Sequence, residues 1–144
     1  VVLPISTSGA SKTVGSLLAL TAILGIVILG ADQVLPSVPA HYYALVVFVI
    51  IDFAIAGLVL AKPSKTSLTL AAGWSALRIL LQFADVTQGP GLGMTYNEFA
   101  DYLFDPLATN TGNPMGVPAL LIDLIVILEA VVISLAWKAR SSSK

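Results

Sequence analysis

Four long apolar runs, each bounded by short polar stretches, dominate the pattern of the chain. The first extends from about Thr13 to Ala31 with no charge, and the second from about Tyr42 to Ala61 with Asp52 inside it. The third, about Thr66 to Ala84, is interrupted by Arg78, and the fourth, about Gly116 to Trp137, contains Asp123 and Glu129. Each run approaches the ~20 residues that a helix needs to cross a hydrocarbon core about 30 Å thick. Lipid cannot satisfy open backbone N–H and C=O groups, so runs of this kind are helical, and no period-2 alternation supports a barrel. The pattern predicts an all-α integral membrane protein with four transmembrane helices at 13–31, 42–61, 66–84 and 116–137, forming one domain over 1–144. No small-residue cleavage site follows the first run, which therefore reads as a span and not as a signal peptide.

The polar connections set an expected orientation. Lys12, Lys62, Lys65, Lys138, Arg140 and Lys144 fall on one side of the four spans if the helices alternate in direction. Asp32, Asp85, Glu98, Asp101 and Asp105 fall on the other, with no lysine or arginine among them. The positive-inside rule then places both termini in the cytoplasm. "KPSK" (62–65) predicts a tight hairpin, with Pro63 ending the second span. The outer connection over 86–114 opens with the turn-rich "TQGPGLG" and contains "TYNEFADYLFDP". There Thr95 and Glu98 form a capping box, Pro106 ends the segment, and Tyr96, Phe99, Ala100 and Leu103 share one helical face. This predicts a short interfacial helix whose face, Tyr96, Phe99 and Leu103, serves either as a lid on the bundle or as a surface for a partner. The residues after the fourth span, 139–144, read as a polar tail, disordered over "RSSSK".

Composition narrows the classes of function. The chain is 57% apolar and 10% charged, whereas a soluble domain is about a quarter charged, so most of its exterior meets lipid. It has no cysteine and one histidine, His41, which excludes thiolate chemistry and a paired-histidine haem built from one copy of the chain. Quinone-linked thiol enzymes need cysteines and retinal proteins need a lysine within a span; neither is present. A net charge of −1 without a basic patch points away from nucleic acid. Glu98, Asp101 and Asp105 read as a solvated acidic face and not as a calcium site. His41 with Tyr42 and Tyr43, and Trp137 with Lys138, read as aromatic belts. No catalytic constellation, cofactor motif or metal-ligand set emerges.

The remaining chemistry lies inside the spans. Counted from the outer helix ends, Arg78 and Asp123 are each about seven residues deep, and Asp52 is roughly 5 Å deeper. The expectation is a pair between Arg78 and Asp123, with Asp52 within reach of the same guanidinium. Leaving one such group to lipid costs on the order of 3 kcal/mol. Ser75, Arg78, Gln82 and Asp85 form a polar stripe facing the interior or a partner, and Trp74 is placed to stack on the guanidinium. Asp52, Asp123 and Glu129 outnumber the one base, so one acid is expected to be protonated, Glu129 foremost. The small-residue pairs Gly15/Ala19, Thr21/Gly25 and Ala72/Ala76 permit close helix contact. Together these features suggest a small non-catalytic subunit of a larger membrane complex, such as a respiratory or membrane-oxidase assembly. The alternatives are an oligomeric proton- or ion-coupled carrier or channel and, third, a self-associating membrane scaffold.

Overall fold

The computed structural model describes residues 7–32, 36, 39–87 and 116–142. Among them are four helices: α1 (Thr7–Ala31), α2 (Pro39–Ala61), α3 (Lys65–Thr87) and α4 (Gly116–Ser142). All four are long and apolar enough to span a membrane, the architecture of a multi-pass membrane protein. The interfacial helix expected over 95–105, with Tyr96, Phe99 and Leu103, lies outside the described residues.

The helices outrun the apolar stretches that announced them. α1 begins at Thr7 and not near Thr13, α3 continues to Thr87, and α4 continues to Ser142. Hydropathy marks the part of a helix that belongs in hydrocarbon, whereas backbone hydrogen bonding carries the helix on into the polar region. The polar tail expected from residue 139 is corrected accordingly: it is helical as far as Ser142. Ser141 Oγ donates to Trp137 O at 2.9 Å and the Arg140 guanidinium lies 4.8 Å from the Trp137 ring centroid. A cation in the last turn also complements the helix dipole.

The hairpin between α2 and α3 is as tight as "KPSK" suggests. Lys62 N still donates to Leu58 O at 2.9 Å, closing α2. Ser64 then caps α3 reciprocally: Ser67 N donates to Ser64 Oγ at 3.1 Å and Ser64 N donates to Ser67 Oγ at 2.9 Å. This is a capping box in which serine takes the place usually held by Glu or Gln.

α1 packs along both α2 and α4, and α3 packs along α4; α2 and α3 touch far less although they are consecutive. The apolar core draws Ala10, Val14 and Leu18 from α1, Ile55, Ala56 and Val59 from α2, Leu68, Ala71 and Ala72 from α3, and Val132, Ala136 and Ala139 from α4. These are the first halves of α1 and α3 and the second halves of α2 and α4, so the helices alternate in direction. The core therefore fills the half of the bundle that carries the α2–α3 hairpin. Large apolar side chains such as Ile23, Ile50, Leu80 and Ile127 point outward, as a lipid-facing surface requires.

A buried charge cluster at the centre of the bundle

One helical turn beyond the last core residue, every helix turns polar. Leu18 is followed by Thr21 on α1 and Ala72 by Ser75 on α3; in the antiparallel helices Ile55 is preceded by Asp52 and Val132 by Glu129. All four polar residues are buried, and Arg78, one turn further along α3, joins them with 5% of its surface exposed. The result is a polar layer across the middle of an apolar bundle.

Arg78 organises the layer. Its Nη1 forms an ion pair with Asp52 Oδ2 and another with Glu129 Oε1 at 3.0 Å. Asp52 has further donors: Trp74 Nε1 lies 2.7 Å from Oδ1 and Thr21 Oγ1 lies 3.3 Å from Oδ2. The Thr21 hydroxyl has a second acceptor in Leu18 O at 2.8 Å. Phe48 of α2 completes the site, its ring centroid 5.4 Å from the guanidinium carbon and 5.8 Å from the Trp74 ring in an edge-to-face arrangement. A cation over an aromatic face is stabilised by the ring quadrupole, most strongly where water is excluded.

Depth counted along the helices suggested Arg78–Asp123, and the structure corrects that pairing. Among the described residues the ion-pair partners of Arg78 are Asp52 and Glu129. Side chains on an α-helix lean toward its N-terminus. α3 runs against α2 and α4, so Arg78 leans toward the hairpin end while Asp52 and Glu129 lean the opposite way and meet it. Asp123 leans away. Extension of α3 to Thr87 also sets Arg78 deeper than the apolar run implied. Asp123 instead lies half-buried on α4, on the same face as the exposed Leu120, Leu124 and Ile127.

The supporting residues divide in the same way. Ser75 is buried in the layer as the stripe predicted, and Gln82 is half-buried. Asp85 belongs to α3, with its side chain outside the described set. Trp74 hydrogen-bonds to Asp52, and the ring over the guanidinium is Phe48, which sequence reasoning missed along with Thr21. Phe48 and Asp52 are four residues apart on α2, the i, i+4 spacing that shares a face, and that spacing was the available signal. Thr21 offered a similar one, as a polar residue within a span that has no charge.

Two buried atoms of the layer have no hydrogen-bond partner, Ser75 Oγ and Glu129 Oε2. Ser75 lies beside the Glu129 carboxyl but completes no hydrogen bond of full geometry to it. Among the described residues no group of three or more His, Asp or Glu side chains is placed to hold a metal. No protein-family model, curated protein or solved structure matches the chain.

Proposed function

We propose that the chain is a small non-catalytic integral membrane subunit of a larger membrane complex, such as a respiratory or membrane-oxidase assembly, docked through α4. The observation that carries this reading is Asp123. It lies in an outward-facing apolar stripe with Leu120, Leu124 and Ile127, six residues before Glu129 and so only about 9 Å along the helix from the central layer. A carboxylate at that depth on a lipid-facing surface costs on the order of 3 kcal/mol. A donor or cation from a neighbouring subunit removes that cost. Among the described residues Asp52, Arg78 and Glu129 find partners inside the bundle, whereas Asp123 is directed outward. Both termini are cytoplasmic in this reading, because the six cations outside the spans then lie on the inner side.

Purification in mild detergent tests the assembly. The expected particle contains further membrane chains, and Asp123→Asn lowers their recovery several-fold while shifting the stability of the bundle itself by no more than about 0.5 kcal/mol. A homogeneous particle containing this chain alone overturns the reading. For the orientation, cysteines placed at Ser37 and Gly112 are expected to label from outside, and those at Ser64 or Ser142 are not.

A second reading, an oligomeric proton- or ion-coupled carrier, draws support from the central charge layer, since ionisable groups at such depth often line transport routes. Ion flux in proteoliposomes reconstituted with the chain alone distinguishes it from the first.

A further inference from the structure

We propose that Glu129 and Ser75 form a binding site for one exchangeable proton at the centre of the bundle. The layer holds two carboxyl groups and one guanidinium. A guanidinium does not deprotonate in proteins, so the layer is neutral only when one carboxyl holds a proton. A net charge buried in that low-dielectric interior is costly. Among the described residues the charged and titratable groups facing Glu129 are Arg78 from α3 and Asp52 from α2; the polar residue that α1 brings to the layer, Thr21, contacts Asp52 and has no charge.

The neighbours of the two acids distinguish them. Asp52 faces donors at both oxygens: Trp74 Nε1 at Oδ1, and the guanidinium at Oδ2. Both nitrogen donors, together with the Thr21 hydroxyl 3.3 Å from Oδ2, stabilise the Asp52 carboxylate, so a proton on Asp52 weakens bonds at both of its oxygens, whereas Glu129 has a nitrogen donor at Oε1 alone. Glu129 uses Oε1 for Arg78 while its Oε2 has no partner, and the Ser75 hydroxyl, also without one, lies beside the same carboxyl; both residues have 1% or less of their surface exposed. A serine hydroxyl either accepts or donates. With the proton bound, Glu129 Oε2–H donates to Ser75 Oγ. When the proton leaves to water or a buffer base, the Ser75 hydroxyl turns and donates to the carboxylate. One hydroxyl rotation thus serves both states without breaking the Arg78–Glu129 contact. Divalent cations take six or more oxygen ligands or keep a water shell, and two free oxygens suit a proton better.

Infrared spectroscopy of the purified protein, in the complex it occurs in, tests the site. The wild type is expected to show the C=O stretch of a buried protonated carboxyl that shifts in D2O, fades reversibly as pH is raised, and is absent from Glu129→Gln. The same band is expected to move in Ser75→Ala and to stay in place in Trp74→Phe. Ser75→Ala retains every charge and carries the test if Glu129→Gln fails to fold. A band that moves in Trp74→Phe but not in Ser75→Ala puts the proton on Asp52 and overturns the proposal. So does a wild type without the band, a band that survives Glu129→Gln, or one that disappears on adding sodium at constant pH. The outcome is independent of whether the chain purifies alone, so the site and the assembly reading fail separately.

Discussion

α2 is held on its two sides by opposite means. Against α1 it is joined by shape. A Cβ built at Gly15 would come within 2.6 Å of Leu60 Cγ and 3.3 Å of Ala56 O, and one at Gly25 within 2.6 Å of Val49 Cγ2. The missing side chains let the two helices close on one another, and Thr21 makes a polar contact across this seam to Asp52. Against α3 it is joined by reach. Phe48, Asp52, Trp74 and Arg78 bridge a seam in which the backbones meet little. Lipid tails are as apolar as leucine, so helices in a bilayer gain nothing from hydrophobicity alone, and close packing or interhelical hydrogen bonds must associate them. This bundle uses one solution on each side of the same helix. Glycine by itself does not mark the first: Gly57 and Gly73 have nothing within 4 Å of a built Cβ.

The largest expected effect comes from leaving the polar seam without an anion. Asp52→Asn combined with Glu129→Gln strands a guanidinium that cannot lose its proton, and is expected to destabilise the bundle by about 3–5 kcal/mol. Adding Arg78→Gln to that pair is expected to restore most of the loss, because no unmatched charge remains. Denaturant unfolding in detergent reads both; a triple mutant as unstable as the double would show that shape, not charge, holds this seam too. Next comes the close seam. Gly15→Leu overfills a site without room, at an expected cost of about 1–3 kcal/mol. It is expected to separate α1 from α2, measured as increased exchange of backbone amides in both helices, and unchanged exchange would end the distinction between the seams. The smallest effect is that of Trp74→Phe. It keeps an aromatic ring beside Phe48 and removes one donor to Asp52, for a loss of about 0.6 kcal/mol and at most about 1.7, the mean and maximum for interhelical hydrogen bonds measured in a membrane protein. A larger loss would give the indole N–H more weight than a single bond.

The four spans were legible because a hydrocarbon core demands a run of apolar residues whatever the tertiary packing. Helix ends were less so, since Thr7, Thr87 and Ser142 lie where backbone bonding and not hydropathy decides. Asp52, Arg78, Asp123 and Glu129 stood out as the charges within spans, and the structure brings three of them together while Asp123 lies apart on α4. Their pairing was misjudged, because depth was read from Cα positions and the lean of a long side chain depends on helix direction. Thr21 and Phe48 illustrate a further limit. Neither carries charge, so their place in the layer follows only from which helices are neighbours, and a single sequence does not supply that.

The short Ser64-capped turn also bears on how the chain enters its membrane. α3 is the least apolar of the four spans and carries the cation, while α2 carries the anion that meets it. A lone arginine or aspartate at mid-span adds about 2.5–3.5 kcal/mol to insertion. With only Lys62, Pro63 and Ser64 between the two helices, they can enter as one helical hairpin whose opposite charges neutralise each other on the way in. Separating α2 from α3 with a long linker is accordingly expected to strand each charge in the bilayer during insertion.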